Sequence, residues 1–434
     1  MMTRRAMLSK LALGVAGVAS ASVSIQFGGR EFPSSKILSP QDEAFLDELE
    51  RANFRVFWEN AHPQTGLVTD RVHPGGNEIN SVSSIAATGF GLSALCLADQ
   101  RGWLKRGTAT ERARLTLRFL AQQMPHTRGF YFHFVDWGTG RRAWQCEVSS
   151  MDTAILLAGV LTCRQYFDDA EIQELAGKLY DRVDWQWLYQ DGPFLGHGWT
   201  PERGFLVSRW DIYCEHMMLY LLAMGASEHA IPARAWNEWQ RPRVTYAGLS
   251  YIDTNAPLFI HQYSHAWFDF RGRCDEHADY FENSTIATQA HRRFCSDLGS
   301  EFPSYKDGLW GITASESPKG YVVWGGPPRL GPIDGSVVPC AAGGSLPFLP
   351  QESLQMLRGA RDRYGKRIWS RYGFVDAFNP ATGWVARDLV TINTGITLMM
   401  AENARTGFFW DTFMKNPETS TAMQRAGFSQ TIVA

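Results

Sequence analysis

A glutamate in a stretch of apolar residues is the first candidate for acid–base chemistry. Glu215 lies in the segment SRWDIYCEHMMLYLLAMG, and residues 216–223 after it carry no formal charge. A carboxyl group in such surroundings loses hydration, which favours the protonated form that a general acid needs. We expect Asp211 to be the N-cap of a helix and a further catalytic candidate, with Glu215 one turn later on the same face. The alternative is a buried structural glutamate paired with Arg or His.

A second glutamate precedes another apolar segment, WQCEVSSMDTAILLAG. Ser149 and Asp152 form a capping-box pattern at the start of the predicted helix, which gives Asp152 a structural role. Glu147 lies just outside this cap, on a loop that leads into the helix. Two carboxylates from neighbouring loops that face one cleft are what glycoside hydrolysis requires. We therefore expect Glu215 to be the general acid and Glu147 to activate water or position the sugar, although the two roles are interchangeable at this stage.

Loop aromatic and polar residues supply candidate sugar contacts. Tryptophan is abundant, with 16 in the chain, and several of these residues lie in loops, where their rings can stack on the faces of sugars. His261 and His265 are four residues apart; this spacing suits polar contacts to hydroxyls or a buried network with Asp269 and Arg271 better than a metal. The predicted substrate-binding residues are Asp136, Trp144, His261, Tyr263, His265, Trp310 and Trp324, and no metal or other cofactor is expected.

The charge balance excludes several classes of protein. With 42 Lys and Arg against 44 Asp and Glu, the net charge of −2 provides no basic surface for a nucleic-acid backbone. The chain has no CxxC pair, and its glycine-rich stretch lacks both nucleotide-binding patterns, GxGxxG and GxxxxGK[ST]. We expect a monomer that binds a polysaccharide or an oligosaccharide.

The first residues are typical of an export signal. Arg4 and Arg5 precede a short apolar run and the small-residue stretch ASA, which indicates a twin-arginine signal peptide and leader over residues 1–30. The run is too short for a membrane span. We expect a periplasmic or secreted protein whose residues 31–434 form a single catalytic domain. Export permits disulfides, and Cys274 with Cys295 is the first pair to test.

Helix-period segments recur along the chain and are of two kinds. Segments near positions 42, 110 and 169 are amphipathic, whereas those near 84, 150, 211 and 389 are apolar on nearly all sides, as helices buried between neighbours must be. Further helices are predicted to begin near Pro232, Pro257, His277, Ser336 and Gln351, which makes about twelve. This number and the alternation of the two kinds predict an all-α (α/α)6 toroid, in preference to a solenoid, because no fixed repeat is present. Long loops, with minor β structure in GFYFHFVDW and GYVVWGG, are expected at the rim that carries the cleft.

Several long motifs resemble the bacterial glucoamylase-like family of glycoside hydrolases. They include SIAATGFGLSALCLA, SSMDTAILLAGVLTCRQYF, WDIYCEHMMLYLLAMG, PLFIHQYSHAWFDFRG, WGITASESPKGY, IDGSVVPCAAGGSLPFLP, RYGFVDAFNP and ITLMMAENARTGFFW. This family includes endo-β-1,2-glucanases, and a related domain occurs in cyclic β-1,2-glucan synthases. The resemblance implies an (α/α)6 fold and inverting hydrolysis of β-1,2-glucan to sophorose or short sophorooligosaccharides. Asn393 stands where the resemblance leads us to expect an aspartate.

Three alternatives remain open from the sequence. Asn393 allows a periplasmic glucan-binding protein that has lost hydrolysis. An exo-acting or transglycosylating relative would differ in its products. Tyr263, His265 and Arg271 leave room for a polysaccharide lyase, which would release an unsaturated product that absorbs in the ultraviolet.

Overall fold

The computed structural model describes residues 38–76, 81–254 and 257–430, and it contains fourteen α-helices in these ranges. In chain order they are α1 (Pro40–Glu59), α2 (Ile85–Gln100), α3 (Thr108–Gln122), α4 (Ser150–Tyr166), α5 (Ala170–Asp181), α6 (Trp185–Tyr189), α7 (Met217–Gly225), α8 (Ala235–Glu238), α9 (Tyr280–Asp297), α10 (Pro339–Gly343), α11 (Pro350–Tyr364), α12 (Thr391–Arg405), α13 (Phe408–Phe413) and α14 (Pro417–Arg425). The predicted leader, residues 1–30, lies outside the described residues. None of the helices in the described ranges has the length and apolar character needed to cross a bilayer.

Short strands form small sheets in the loops between helices. They are β1 (Arg71–Val72), β2 (Val82–Ser84), β3 (Phe134–Asp136), β4 (Val148–Ser149), β5 (Gly198–Thr200), β6 (Gly204–Phe205), β7 (Arg243–Tyr246), β8 (Leu249–Ile252), β9 (Arg273–Cys274), β10 (Ser315–Ser317), β11 (Gly320–Val322), β12 (Trp369–Ser370), β13 (Gly373–Phe374), β14 (Phe378–Asn379), β15 (Trp384–Val385), β16 (Leu389–Val390) and β17 (Ser429–Gln430). All pair antiparallel, mostly as two-stranded ribbons, and β4, β5 and β6 form one three-stranded sheet. The predicted minor β structure is confirmed by β3 and β11.

The apolar segments form an inner layer of parallel helices. A Cβ atom on Gly159 of α4 would lie 2.1 Å from the carbonyl oxygen of Gly89 in α2, so only glycine permits this approach of the two backbones. Further along the same pair, the thiols of Cys96 and Cys163 are 3.7 Å apart. Because both contacts join residues about 70 positions apart, α2 and α4 run in the same direction, and their N-termini lie at the same end. The predicted burial of α2, α4, α7 and α12 is confirmed.

Amphipathic helices form the outer layer. α1, α3 and α5 bury one face and expose the other, as the charge pattern predicts. Ser39 and Asp169 are the N-caps of α1 and α5, and each accepts a backbone N–H in the first turn. The mostly helical toroid is confirmed, but the predicted number of helices is not.

Three predicted helix starts are wrong. α7 begins at Met217 rather than Asp211, because residues 208–216 are held in irregular and extended backbone. The segment after position 257 forms two short 3-10 helices, Leu258–His261 and Ser264–Ala266, instead of one α-helix. The helix expected from Ser336 begins at Pro339 and lasts a single turn.

All seven cysteines are free thiols. Cys274 lies in β9 opposite Ser429, whereas Cys295 is buried in α9, so the predicted disulfide between them is not formed. The fold is therefore held by packing and hydrogen bonds.

Candidate functional site

The two predicted glutamates each lie just before the N-terminus of an inner helix. Glu147 immediately precedes β4, which leads into α4, and Glu215 lies two residues before α7. Both side chains are nearly buried, at 7% and 4% exposure. The positive end of a helix dipole stabilises a carboxylate at this position. The predicted position of Glu147 just before an inner helix is confirmed, whereas Glu215, predicted one turn inside a helix, lies two residues before α7.

A network of aromatic rings connects the segments that carry these glutamates. The hydroxyl of Ser150, the first residue of α4, donates a hydrogen bond to the carbonyl oxygen of His197 and accepts one from the indole of Trp210, each 3.0 Å long. The Trp210 ring stacks on His197 with centroids 3.8 Å apart and lies 5.7 Å from the ring of His216, the neighbour of Glu215. The segments before α4 and α7 are therefore connected by one buried network.

Glu147 belongs to a buried cluster of two carboxylates and one imidazole. Its Oε1 lies 3.1 Å from Nδ1 of His133, and Nε2 of the same ring lies 3.6 Å from Oδ2 of Asp152. The Ser149 hydroxyl accepts the backbone N–H of Asp152 and donates to Oδ2 of its side chain. The predicted capping of α4 by Ser149 is confirmed, and Asp152 also faces His133.

Glu215 has surroundings of a different kind. Its Oε2 accepts a hydrogen bond from the thiol of Cys214, and its backbone carbonyl accepts one from the hydroxyl of Ser264. Among the described residues, no Lys or Arg forms an ion pair with Glu215. By contrast, the buried Glu402 at the far end of α12 is paired with Arg101. Glu215 therefore lacks the structural ion pair that the alternative interpretation expected.

The role predicted for Asp211 requires correction. His216, not Asp211, occupies the N-cap position of α7. The backbone carbonyl of Asp211 accepts the N–H of Gln240, and the following residue forms a parallel bridge to the same Gln240. The segment is thus extended, and Asp211 does not share a helical face with Glu215.

Two predicted substrate contacts lie near Glu147, Asp136 at the end of β3 and Trp144 in the loop that follows this strand. Trp144 is 56% exposed, has the left-handed φ of 53°, and packs against Phe134 with ring centroids 5.1 Å apart. A large residue in this conformation is uncommon and often marks a functional position. Asp136 accepts hydrogen bonds from the backbone N–H and the hydroxyl of Thr139, and the hydroxyl bond above all lowers the pKa of Asp136.

Five other predicted substrate contacts are buried in the core. His261, Tyr263 and His265 are at most 1% exposed; His261 contacts the hydroxyl of Tyr213, and His265 contacts that of Ser284. Of the two expectations for this segment, the buried network describes the geometry, but without Asp269 and Arg271, which pair with each other. Trp310 and Trp324 are also buried, and their indoles donate to Glu352 and Ser315. These five side chains are therefore not among the sugar contacts that we propose.

A buried carboxyl group that the sequence analysis missed lies near Asn393. Asp376 is 4% exposed; it accepts hydrogen bonds from the side-chain amide of Asn393 (2.9 Å) and from the backbone N–H of Glu316 (2.7 Å). Burial raises the pKa of Asp376 to about 7. Glu316 in turn pairs with Arg71, and Asp376 and Asn393 line one small pocket between α1 and α12. The motif RYGFVDAFNP contains Asp376, but nothing in its local pattern distinguishes this aspartate from a turn residue.

His133 is the second residue that sequence reasoning missed. It alternates with aromatic residues in GFYFHFVDW, a pattern that indicates a strand but gives no sign of a carboxylate partner. In the described part of the chain, no group of three or more His, Cys, Asp or Glu side chains is arranged to hold a metal ion.

Comparisons with known proteins find similarity to the same family that the sequence motifs resemble. Residues 207–417 match the profile of a family described as "Putative glucoamylase". An exo β-1,2-glucooligosaccharide sophorohydrolase (non-reducing end) from Parabacteroides distasonis is 28% identical to the chain, with 88% of this chain and 58% of the relative covered. The chain thus spans somewhat more than half of that relative's length.

Solved structures are similar over most of the chain. An endo-β-1,2-glucanase from Chitinophaga pinensis, solved with sophorotriose and glucose, has a TM-score of 0.83 and 26% identity, with 90% of this chain and 99% of that chain covered. A β-1,2-glucanase from Parabacteroides distasonis has a TM-score of 0.82 and 27% identity, with coverage of 89% and 60%. In its motifs, its fold and these matches, the chain is similar to the glucoamylase-like family of glycoside hydrolases.

Proposed function

We propose that this protein is a glycoside hydrolase that cleaves β-1,2-linked glucans to sophorose or short sophorooligosaccharides. The observation that carries the proposal is the pair of nearly buried glutamates, Glu147 and Glu215, at the N-termini of adjacent inner helices joined by one aromatic network. The similarity to β-1,2-glucan hydrolases supports the choice of substrate.

Glu215 is the general acid in this proposal. Its carboxyl group is nearly buried and has the thiol of Cys214, rather than a cation, as its side-chain partner. The acid transfers its proton to the glycosidic oxygen as the bond to the anomeric carbon breaks. The leaving sugar departs with a free hydroxyl.

Glu147 is the base. The imidazole of His133 lies against its Oε1, and a positive neighbour favours the ionised carboxylate that accepts a proton from water. The oxygen of this water attacks the anomeric carbon while its proton passes to Glu147. The difference in partners supports this choice of the two roles, which the sequence leaves interchangeable.

Inversion at the anomeric carbon belongs to the same proposal. An inverting pair of carboxyl groups is about 6.5–9.5 Å apart, whereas a retaining pair is about 5–5.5 Å apart. Proton NMR of the first products separates the two outcomes: inversion of a β-linkage gives the α-anomer first, and retention gives the β-anomer.

A linkage screen tests the proposed function. Purified protein is incubated with β-1,2-, β-1,3-, β-1,4- and α-linked glucans, and the products are separated by size. We expect reducing ends from β-1,2-glucan alone, as sophorose or short oligosaccharides. Release from another linkage would refute the substrate. The course of product sizes with time separates endo cleavage from exo cleavage.

A glucan-binding protein without hydrolysis is the second candidate, and Asn393 favours it. The amide of Asn393 donates to Asp376 and to the carbonyl oxygen of Ala314, so it is held as a donor rather than as a base. Binding of β-1,2-glucan in calorimetry with no release of reducing ends would establish this candidate.

We also propose that the protein is exported by the twin-arginine route. The support is the sequence of residues 1–30, which lie outside the described residues. Replacement of Arg4 and Arg5 by Lys should leave the protein in the cytoplasm of a Gram-negative host, as fractionation would detect. Periplasmic recovery of the double variant would refute this route.

A further inference from the structure

We propose that His133 is a positioning residue that holds Glu147 in the geometry of a base and connects it to a sugar platform at Trp144. The inference rests on the proposed function, and it adds a residue that neither the motifs nor the similarities identify. Its basis is the placement of one imidazole between two carboxylates and beneath a stack of aromatic rings.

The backbone of His133 is fixed on both sides. Its N–H donates to the carbonyl oxygen of Glu147 at 2.9 Å, and its own carbonyl accepts the N–H of Ile85, the first residue of α2, at 3.3 Å. The side chain is 7% exposed. The imidazole therefore has little freedom to move away from Glu147.

The ring nitrogens each face a different carboxylate. Nδ1 lies 3.1 Å from Glu147 and Nε2 lies 3.6 Å from Asp152. A neutral imidazole carries a hydrogen on one nitrogen only, whereas the imidazolium carries one on each. Two carboxylates in a nearly buried site repel each other, and a cation between them removes this cost. The cluster therefore fits the charged form of His133.

Other charged groups near the cluster do not replace this cation. Arg142 pairs with Glu202 and donates to the backbone carbonyl of Cys146. Burial raises the pKa of the Cys146 thiol to about 12, so this neighbour is neutral. The imidazole of His133 is placed against both carboxylates of the cluster.

A stack of rings leads from the cluster to the surface. The imidazole of His133 lies parallel to Phe134, with centroids 3.9 Å apart and an interplanar angle of 16°. Phe134 in turn contacts Trp144, the exposed ring with a left-handed backbone. A sugar ring that stacks on Trp144 would therefore be connected to Glu147 through the rings of Phe134 and His133.

Three substitutions at His133 separate the contacts. Asn places an amide N–H near the Nδ1 position and keeps the bond to Glu147; Gln reaches the Nε2 position and keeps only the contact to Asp152; Phe keeps only the ring stack. We expect His133→Asn to retain kcat on sophorooligosaccharides within about tenfold, and Gln and Phe to lose about 100-fold, because a small displacement of a catalytic group costs this much. Equal losses in the Asn and Gln variants would overturn the proposal.

Two further readouts distinguish positioning from a structural role. The acidic limb of kcat/KM, where the base Glu147 takes up a proton, should shift to higher pH in His133→Phe, because this variant removes the positive neighbour of the carboxylate; an unchanged acidic limb contradicts the proposal. In a Glu147→Gln background, His133→Phe should cost little more, because the group that it positions is gone. A full additional loss would assign His133 a role apart from Glu147. Thermal unfolding of each variant verifies that it is folded.

The titration of His133 itself tests the inference without catalysis. With 15N-labelled histidine, NMR should show that His133 holds its proton to a higher pH in the wild type than in Glu147→Gln. Equal titration in both proteins would overturn the proposal even if the enzyme is active. If the wild type cleaves none of the glucans, the proposed function fails, and the NMR result still decides whether His133 and Glu147 are coupled.

Discussion

Replacement of Asp376 by Asn should lower the stability of the folded protein at acid pH and raise it at alkaline pH, relative to the wild type. Burial raises the pKa of Asp376 to about 7 in the folded protein, against an ordinary value of 3.8. Between these two pH values, Asp376 holds a proton in the folded state that it releases in the unfolded chain. Part of the stability of the fold is therefore lost as the pH rises from about 4 to about 7. The difference between the two pKa values corresponds to about 4 kcal/mol.

The variant has a cost of its own that does not depend on pH. Asp376 accepts hydrogen bonds from two donors, the amide of Asn393 and the N–H of Glu316, and an Asn at this position turns one of its own N–H groups toward one of them. A lost buried hydrogen bond costs about 1–3 kcal/mol. Asp376→Asn should thus be less stable than the wild type at about pH 4 and more stable at about pH 8.

Urea unfolding followed by tryptophan fluorescence, repeated across this pH range, measures the effect. The control is Asp136→Asn, since the hydrogen bond from Thr139 lowers the pKa of Asp136. Asp136 contributes stability at high pH that is lost on acidification, so the stability of its variant relative to the wild type should change in the opposite direction. A difference between Asp376→Asn and the wild type that stays constant with pH would refute the assignment of a proton to Asp376.

Two further predictions concern the platform and the inner helices. Trp144→Ala should raise KM for sophorooligosaccharides about fivefold with kcat little changed, because a stacked ring contributes about 1 kcal/mol to binding; an unchanged KM in initial-rate assays would remove Trp144 from the site. Gly159→Ala should destabilise the protein by about 3 kcal/mol in urea unfolding, because its Cβ would meet the backbone of Gly89. The control is Gly177→Ala in α5, where a Cβ meets open space. This variant should be neutral or stabilising by up to about 1 kcal/mol. Similar stabilities for the two variants would contradict the close approach of α2 and α4.

The inner and outer helices could be predicted because their signals extend over many residues. The apolar runs of α2 and α4 leave no face for water, and the charged faces of α1 and α5 leave only one side for the core. Short elements have no such redundancy. Asp211 has the residue type of an N-cap, but a tertiary contact with Gln240 keeps its segment extended, and no local pattern contains that contact.

A site residue could be predicted only where its distance from a helix start fixes its place in the fold. Glu147 lies beside the recognisable start of α4, so its position follows from the pattern, whereas the pattern places Glu215 one turn inside a helix that in fact begins after it. The roles of His133 and Asp376 depend on partners 14 and 17 residues away, Glu147 and Asn393, across turns whose geometry the sequence does not specify. For Trp310, the local pattern indicates a loop but does not reveal that the loop folds back into the core.

The most direct test of the central claim is turnover of β-1,2-glucan by the wild type, Glu147→Gln and Glu215→Gln. The reducing ends that each protein releases are quantified under the same conditions. Loss of a general acid or base costs about 100- to 10,000-fold. We predict measurable hydrolysis by the wild type and a loss of this size in each variant, with glucan binding retained. Normal turnover in either variant would contradict the assignment of these two glutamates as the acid and the base.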